Sequence, residues 1–521
     1  MRTCFSGDPL TVDPRKCGDA VSGVFLSMLY EGLTEVLPNG ELKLALAESV
    51  HISSNGKIYL FQLKDAMWSD GQPITAFDLE HSWKKTLNPY FHSTFPDLFF
   101  PIKNAEAAAQ GKKSLIDVAI YALDEKTLQV ELEKPTPYFL SLLSCCAFFP
   151  IPKHIEIKDP NWDAHSAQSL VSSGPFLLKK WEPKREITVK KNPLYWDAKN
   201  VSLDSLHISI IKHAFDALEM FKNGSLDLIS HMLSPFPLYS IQNYPEKLTL
   251  TPASPTIFYA YNMDQFPFHN QSIRKAFSLS IDRTQLVNQS APLNEMPAKR
   301  FVPPILDHED VSLLPAFSPA LARQALHKGF MELGILKDQE KKDDFTLRLF
   351  LQNLRLSYED TPSNRQLVQI LQEQWKQHLG YRIQLVPQNL KMQIEGIYQR
   401  DFNMALRHCA PHYNDPMSLL ERFKYKNLSR NFPHFESPTY IELLNQSSQK
   451  HLSKSQRKEI LLQAEAHLLE QLPIVPLYHG SYPALSQSTL SNIAFTPMGN
   501  IQFKKAKYQE LKSGFSEVAV S

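Results

Sequence analysis

The stretch GKIYLFQLKDAMWSDGQPITAFDLEHSW, Gly56 to Trp83, decides how this chain is read. Tyr59, Phe61 and Leu63 alternate with Leu60, Gln62 and Lys64, the period of a strand with one better-buried face. Ser69-Asp70-Gly71 supplies turn chemistry, and Pro73 closes the loop. Thr75 predicts a helix N-cap, with Asp78 three residues on in a capping-box arrangement. Leu79 and Trp83 then fall on one helical face. Elementary physics gives a strand–loop–helix unit here, and no reaction.

The rest of the chain bounds the answer. At 521 residues two or three domains are expected rather than one core. Hydrophobic content of 43% and charged content of 21% mark a globular chain. A net charge of +1, with no basic stripe and no acidic tail, gives no reason to expect nucleic acid. With 37 Pro against 17 Gly, the connections are expected to be stiff. Cys4, Cys17, Cys145, Cys146 and Cys409 lack metal-ligand spacing, and Cys145-Cys146, in an apolar run, are expected in the core. Tyr138 to Pro152, the most apolar stretch, is too short to span a bilayer.

The wording from Lys64 to Leu79 is more specific than its physics. A basic residue, an acidic residue, Trp68-Ser69-Asp70-Gly71 and Pro73-Ile74-Thr75-Ala76-Phe77-Asp78-Leu79, in that order, resemble the signature of the family 5 extracellular solute-binding proteins. These are the peptide, dipeptide and nickel receptors of ABC importers. Further matches run along the chain. They are Val12-Asp13-Pro14, Leu29-Tyr30-Glu31-Gly32-Leu33, Lys134 to Phe139, Ser173-Gly174-Pro175-Phe176, Lys191 to Trp196 and Ala217 to Asp227. Ile273-Arg274-Lys275-Ala276-Phe277 with Ile281-Asp282-Arg283, and Leu472 to Tyr478, complete the set. Periodicity independently predicts a strand over Thr127–Leu132, a helix from Ser318-Pro319 to about Gly329, and a βαβ unit. That unit consists of a strand over Thr346–Leu351, a helix over Asn364–Leu379 ended by Gly380, and a strand over Tyr381–Val386. Phe402–Leu406 reads as a further strand.

The resemblance implies an α/β, two-lobed periplasmic-binding-protein-like fold (class II, cluster C) with an extra inserted domain, mixed sheets and a ligand cleft between lobes. Domain I would use residues 1–35, 172–255 and 482–521, domain II residues 36–171, and domain III residues 256–481. The resemblance also implies a receptor, not an enzyme, that captures oligopeptides for a permease and ATPase pair, as a monomer and without a cofactor or resident metal. Its expected place is the periplasm or the outer face of the cytoplasmic membrane. No apolar leader precedes Cys4, so the expectation is that a leader is missing from the chain given or that the true start lies upstream. A cytoplasmic protein is the third option.

Peptide receptors of this family hold the ligand as an added strand, which gives affinity without reading side chains. The matching segments are Lys16 to Ala20, with Cys17, Gly18, Asp19 and Ala20, and Leu406 to Tyr413, with Leu406, Arg407, His408, Cys409, Ala410, His412 and Tyr413; Asn414 follows. His412 stands where the family places an aspartate that meets the ligand's ammonium. A neutral imidazole accepts one hydrogen bond and offers no charge, so Asp19 or Asp415 is the nearest replacement. Leu390, Ile397 and Leu406 stand where the family carries a tryptophan and two arginines; Arg400 and Arg407 lie close by on another phase. Two other readings follow from these departures. One is a receptor for a metal chelate, haem or cell-wall peptide; the other, from a different class, is a hydrolase built on Cys409 with His408 and His412. No helix-turn-helix precedes the fold to suggest a regulator.

Overall fold

The computed structural model describes the chain except for residues 165–169, 237–242, 291–292, 294, 337–352, 429 and 510–521. It divides into two units, Met1–Thr251 with Tyr482–Ser521, and Pro252–Ser481. The first unit begins with β1 (Arg2–Phe5) and α1 (Ala20–Leu29), followed by β2 (Ala47–Ile52), β3 (Ile58–Leu63) and α2 (Ala76–Thr86). The signature stretch folds as its periodicity predicts. In β3, Tyr59, Phe61 and Leu63 are buried and Gln62 is exposed. Gly71 takes φ +86° in the turn, and Thr75 and Asp78 complete both halves of the capping box. Leu79 and Trp83 are fully buried, and the Trp83 indole donates to the Phe148 carbonyl at 2.9 Å.

With β4 (Ile120–Ala122) and β5 (Thr127–Glu131), these strands make an antiparallel sheet of order β2-β3-β5-β4. A second sheet, β1-β8-β7-β6, uses β6 (Phe176–Glu182), β7 (Glu186–Lys191) and β8 (Ser205–Ile210), with β1 parallel to β8. After α3 (Ala214–Lys222), β9 (Leu228–Ser230) pairs with Ala484–Ser486. None of the five cysteines is in a disulfide; Cys4, Cys17 and Cys409 are buried, whereas Cys145 and Cys146, expected in the core, are only half-buried.

One buried charge cluster ties the N-terminal segment of this unit to its middle. The Arg15 guanidinium donates to Asp13 and Glu156, each at 2.7 Å, and His81 and Lys85 also meet Glu156. Burial alone would raise the Glu156 carboxyl; hydrogen bonds from His81, Arg15 and Lys85 outweigh it and hold it well below the usual carboxylate range. As pH falls, the unfolded chain is therefore protonated first. The stability from Glu156 is complete above its unfolded pKa of about 4.3 and is lost as pH drops toward the folded value. Glu156→Gln is expected to flatten the fall of the thermal midpoint below about pH 4.5. An acid limb identical to that of the parent protein contradicts this.

The chain enters the second unit along β10 (Leu248–Tyr261). There follow α4 (Gln271–Leu279), α5 (Pro319–Glu332), β11 (Arg355–Glu359), α6 (Pro362–Leu379), β12 (Gln384–Gln388), α7 (Leu390–Tyr398), β13 (Met404–Cys409) and α8 (Lys454–Gln471), and β14 (Ile474–Ser486) returns to the first unit. The sheet order is β14-β10-β13-β11-β12. β11-α6-β12 is a βαβ unit that contains the expected helix and second strand, with β11 parallel to both β12 and β13. Its first strand is Arg355–Glu359; the expected Thr346–Leu351 lies outside the described residues. Thr361 caps α6 with Pro362 at its first position, and Gly380 ends it at φ +87°. The Arg274 of the Ile273–Phe277 motif donates to the carbonyl of Gln471, at the C-terminus of α8, and to that of Phe268. There a cation complements the helix dipole.

Candidate ligand-binding segments

The edge of β13 is where the second unit leaves main-chain groups for a partner. On one side β13 pairs with β10 along its whole length, from Met404 opposite Tyr261 to Cys409 opposite Thr256. On the other side β11 pairs only with Met404 and Ala405, and among the described residues no strand takes its place from Leu406 onward. Side chains close the two ends of the gap. The Gln393 amide donates to the Leu406 carbonyl at 3.0 Å, and the Arg422 guanidinium donates to the Ala410 carbonyl at 2.7 Å. Main-chain groups alternate in direction along a strand, so those of His408, midway between these carbonyls, point to the same open edge. Gln393 and Arg422, which delimit the edge, have no local sequence signal; their partners lie 13 and 12 residues away.

The side chains along this segment have distinct surroundings. Leu406 and Cys409 are buried, Arg407 is half-buried and His408 is exposed. Desolvation by the surrounding protein, then Arg407 and Arg422, lower the His408 pKa. His412 is held well below the ordinary imidazole range by burial first, then by Arg422 and Arg430, so it is neutral; its main-chain amide donates to Ser418 at 2.7 Å. Tyr413 is buried and donates to Glu421 at 2.8 Å, and Asn414 is half-buried. Asp415 is occupied: Arg457 grips both carboxylate oxygens at 2.8 Å, and one of them also caps the Met417 amide. Leu390 is exposed at the start of α7, while Ile397 lies in a hydrophobic cluster with Phe402 and Ala405. Arg400 is engaged with Asn262, Asp264 and the Phe432 carbonyl.

In the first unit, Cys17 to Asp19 form a short extended link between a turn at Pro14–Lys16 and α1. Gly18 is exposed and Cys17 buried. Asp19 caps α1 with one oxygen, donated to by the Ser22 amide at 2.9 Å; its other oxygen is buried and has no hydrogen-bond partner among the described residues. Ala20 is the exposed first residue of α1. Cys409 carries a thiol whose pKa burial raises, and His408 leaves the strand on the opposite face. Cys409 and His408 therefore do not form a nucleophile–base pair. Among the described residues no group of three His, Cys, Asp or Glu could hold a metal ion, and no helix is long and apolar enough to cross a membrane.

A model of the bacterial extracellular solute-binding proteins, family 5 Middle, matches residues 41–431. The chain belongs to that family. The oligopeptide-binding protein OppA of Bacillus subtilis is 31% identical over 96% of this chain and 91% of its own. The dipeptide-binding protein DppE of the same organism is 30% identical over 96% and 90%. The crystal structure of a periplasmic oligopeptide-binding protein, OppAIV of Borrelia burgdorferi, superposes with a TM-score of 0.82 at 28% identity, covering 98% of this chain and 99% of the other. The fold is thus the periplasmic-binding-protein-like α/β fold of family 5, with mixed sheets, and the chain is a binding protein rather than an enzyme.

Proposed function

We infer that this chain is the substrate-binding receptor of an ABC importer, capturing oligopeptides and delivering them to a membrane permease driven by an ATPase subunit. It works as a single chain, in the periplasm or on the outer face of the cytoplasmic membrane. The observation that carries the reading is the β13 edge, open at His408 and closed at both ends by Gln393 and Arg422. Such an edge accepts a peptide as an added strand whatever its side chains. Lys16 to Ala20 are the matching segment of the first unit in this reading.

The neutral His412 bears on which peptides bind. It supplies no charge to a ligand ammonium, so a free N-terminus is not required. Thermal unfolding of protein refolded free of carried ligand, with matched tetra- and pentapeptide pools, tests both points. Ligand at about 100 times its dissociation constant adds about 2.7 kcal/mol, a readily seen shift. Free and acetylated pools are expected to raise the midpoint equally. A shift with free peptides alone overturns the His412 argument and points to the unpartnered oxygen of Asp19; no shift with either pool overturns the peptide reading.

A further inference from the structure

Three of the five cysteines come together, although two of them stand far from the third in the chain. The turn at Pro14–Lys16, which ends at Cys17, packs against the turn at Cys146–Phe148, and α1 packs on the same turn. There the Cys146 thiol forms side-chain hydrogen bonds with Cys17 and with Cys145. Cys17 is buried, with its sulfur 3.8 Å from the Asp19 carbonyl oxygen and facing Gly23 of α1. Cys145 and Cys146 are half-buried, within reach of a small reagent. Cys4 instead meets Ser234, and Cys409 lies in the second unit.

Clustered thiols support metal binding or oxidation. Among the described residues no group of three His, Cys, Asp or Glu could hold a metal ion, so oxidation is the chemistry to consider. Covalent geometry chooses the pair. Consecutive Cα atoms stand about 3.8 Å apart across a trans peptide, short of the roughly 4.4–6.8 Å of ordinary disulfides. Cys145 and Cys146 therefore close a bond only with strain. Cys17 and Cys146 come from different elements and carry no such restriction.

We propose that Cys17 and Cys146 are a redox pair, closed into a disulfide by a disulfide oxidant of the envelope compartment, where such oxidants act. The step consists of two thiol–disulfide exchanges. The Cys146 thiolate attacks one sulfur of the oxidant R–S–S–R, forming Cys146–S–S–R and releasing R–S⁻. The Cys17 thiolate then attacks the Cys146 sulfur, forms the protein disulfide and releases the second R–S⁻. The two cysteines lose two protons and two electrons, and the oxidant leaves as two R–SH. The bond ties the segment Lys16 to Ala20 covalently to the middle of the first unit, beside the charged tie from Arg15 to Glu156. The pairing is independent of the peptide reading.

The test uses the full chain, reduced, desalted and incubated with 2-hydroxyethyl disulfide, a reagent with no peptide group. The protein is then alkylated in denaturant and mapped by mass spectrometry. A Cys17–Cys146 cross-link is expected. The oxidised protein is expected to unfold about 5 °C or more above the reduced protein, because the bond closes a long loop of the unfolded chain, and dithiothreitol returns the midpoint. Cys145→Ser keeps both the cross-link and the shift; Cys146→Ser loses both. A Cys17–Cys145 or Cys145–Cys146 link overturns the proposal. So does recovery of Cys17 and Cys146 both alkylated, a mixed disulfide at Cys146 that goes no further, or a cross-link that leaves the midpoint unchanged or lowers it. Mapping of the parent protein decides between these outcomes even where a variant fails to fold.

Discussion

Glu465→Ala is expected to lower stability by about 3–5 kcal/mol, the cost of breaking a buried charge pair by removing one partner. Glu465 lies on α8 with its side chain fully buried. One carboxylate oxygen accepts from the Arg300 guanidinium, with Nε at 3.0 Å. The other accepts from the main-chain amides of Phe301 and Val302 at 2.7 and 2.8 Å. Burial holds the carboxyl above its ordinary range, and Arg300 draws it back only in part; both oxygens face donors. Alanine leaves two buried amides without an acceptor and Arg300 with Asp307 and the Glu309 carbonyl. Urea unfolding reads the loss directly; a change below about 1 kcal/mol, the size of an average substitution, contradicts this account of α8.

Gly174→Ala is expected to cost about 3 kcal/mol, the upper end of ordinary overpacking. A Cβ there would stand 2.6 Å from the Tyr30 nitrogen, 2.7 Å from the Leu29 carbonyl carbon and 2.9 Å from the Met28 oxygen. All three are main-chain atoms at the end of α1, held against Gly174 by its own amide, which donates to Leu29 at 2.8 Å. No side chain can move aside. Gly23, inside α1, is the control. Its Cβ would meet the Cys17 sulfur at an ordinary 3.7 Å, so Gly23→Ala is expected to gain up to about 1 kcal/mol of helix propensity. Equal effects of the two substitutions on the midpoint would contradict this packing.

Gly174 and two of the buried arginines show what is legible in the sequence. Gly174 belongs to the Ser173–Phe176 motif and the arginines 274 and 283 to another, so the sequence marks the positions; the reason for each emerges only when residues far apart in the chain meet. Regular, one-sided elements were readable. β3, α2 and α6 fall where periodicity and caps place them. β11 was not found, because Leu356, Ser357 and Tyr358 are all buried and a strand covered on both faces loses its alternation. β12 begins at Gln384 rather than Tyr381, a shift within the usual uncertainty of strand ends.

At the candidate site, local sequence indicated the β13 segment and the missing aspartate at His412. It could not show that Asp415 is taken by Arg457, 42 residues on, or that Gln393 and Arg422 delimit the open edge. Nor could it show that Ile397 packs into the core while Nε of Arg407 has no hydrogen-bond partner among the described residues. Each of these depends on a tertiary contact with no local signature.

The most direct test of strand addition is calorimetric titration of the refolded protein with one well-bound peptide and versions of it N-methylated at a single amide each. Main-chain groups of an added strand point alternately toward and away from the partner strand. The account predicts that methylation at alternate amides weakens binding by about tenfold or more, while methylation at the intervening amides has little effect. Uniform tolerance of N-methylation would contradict it, as would losses that follow side-chain identity and not amide position.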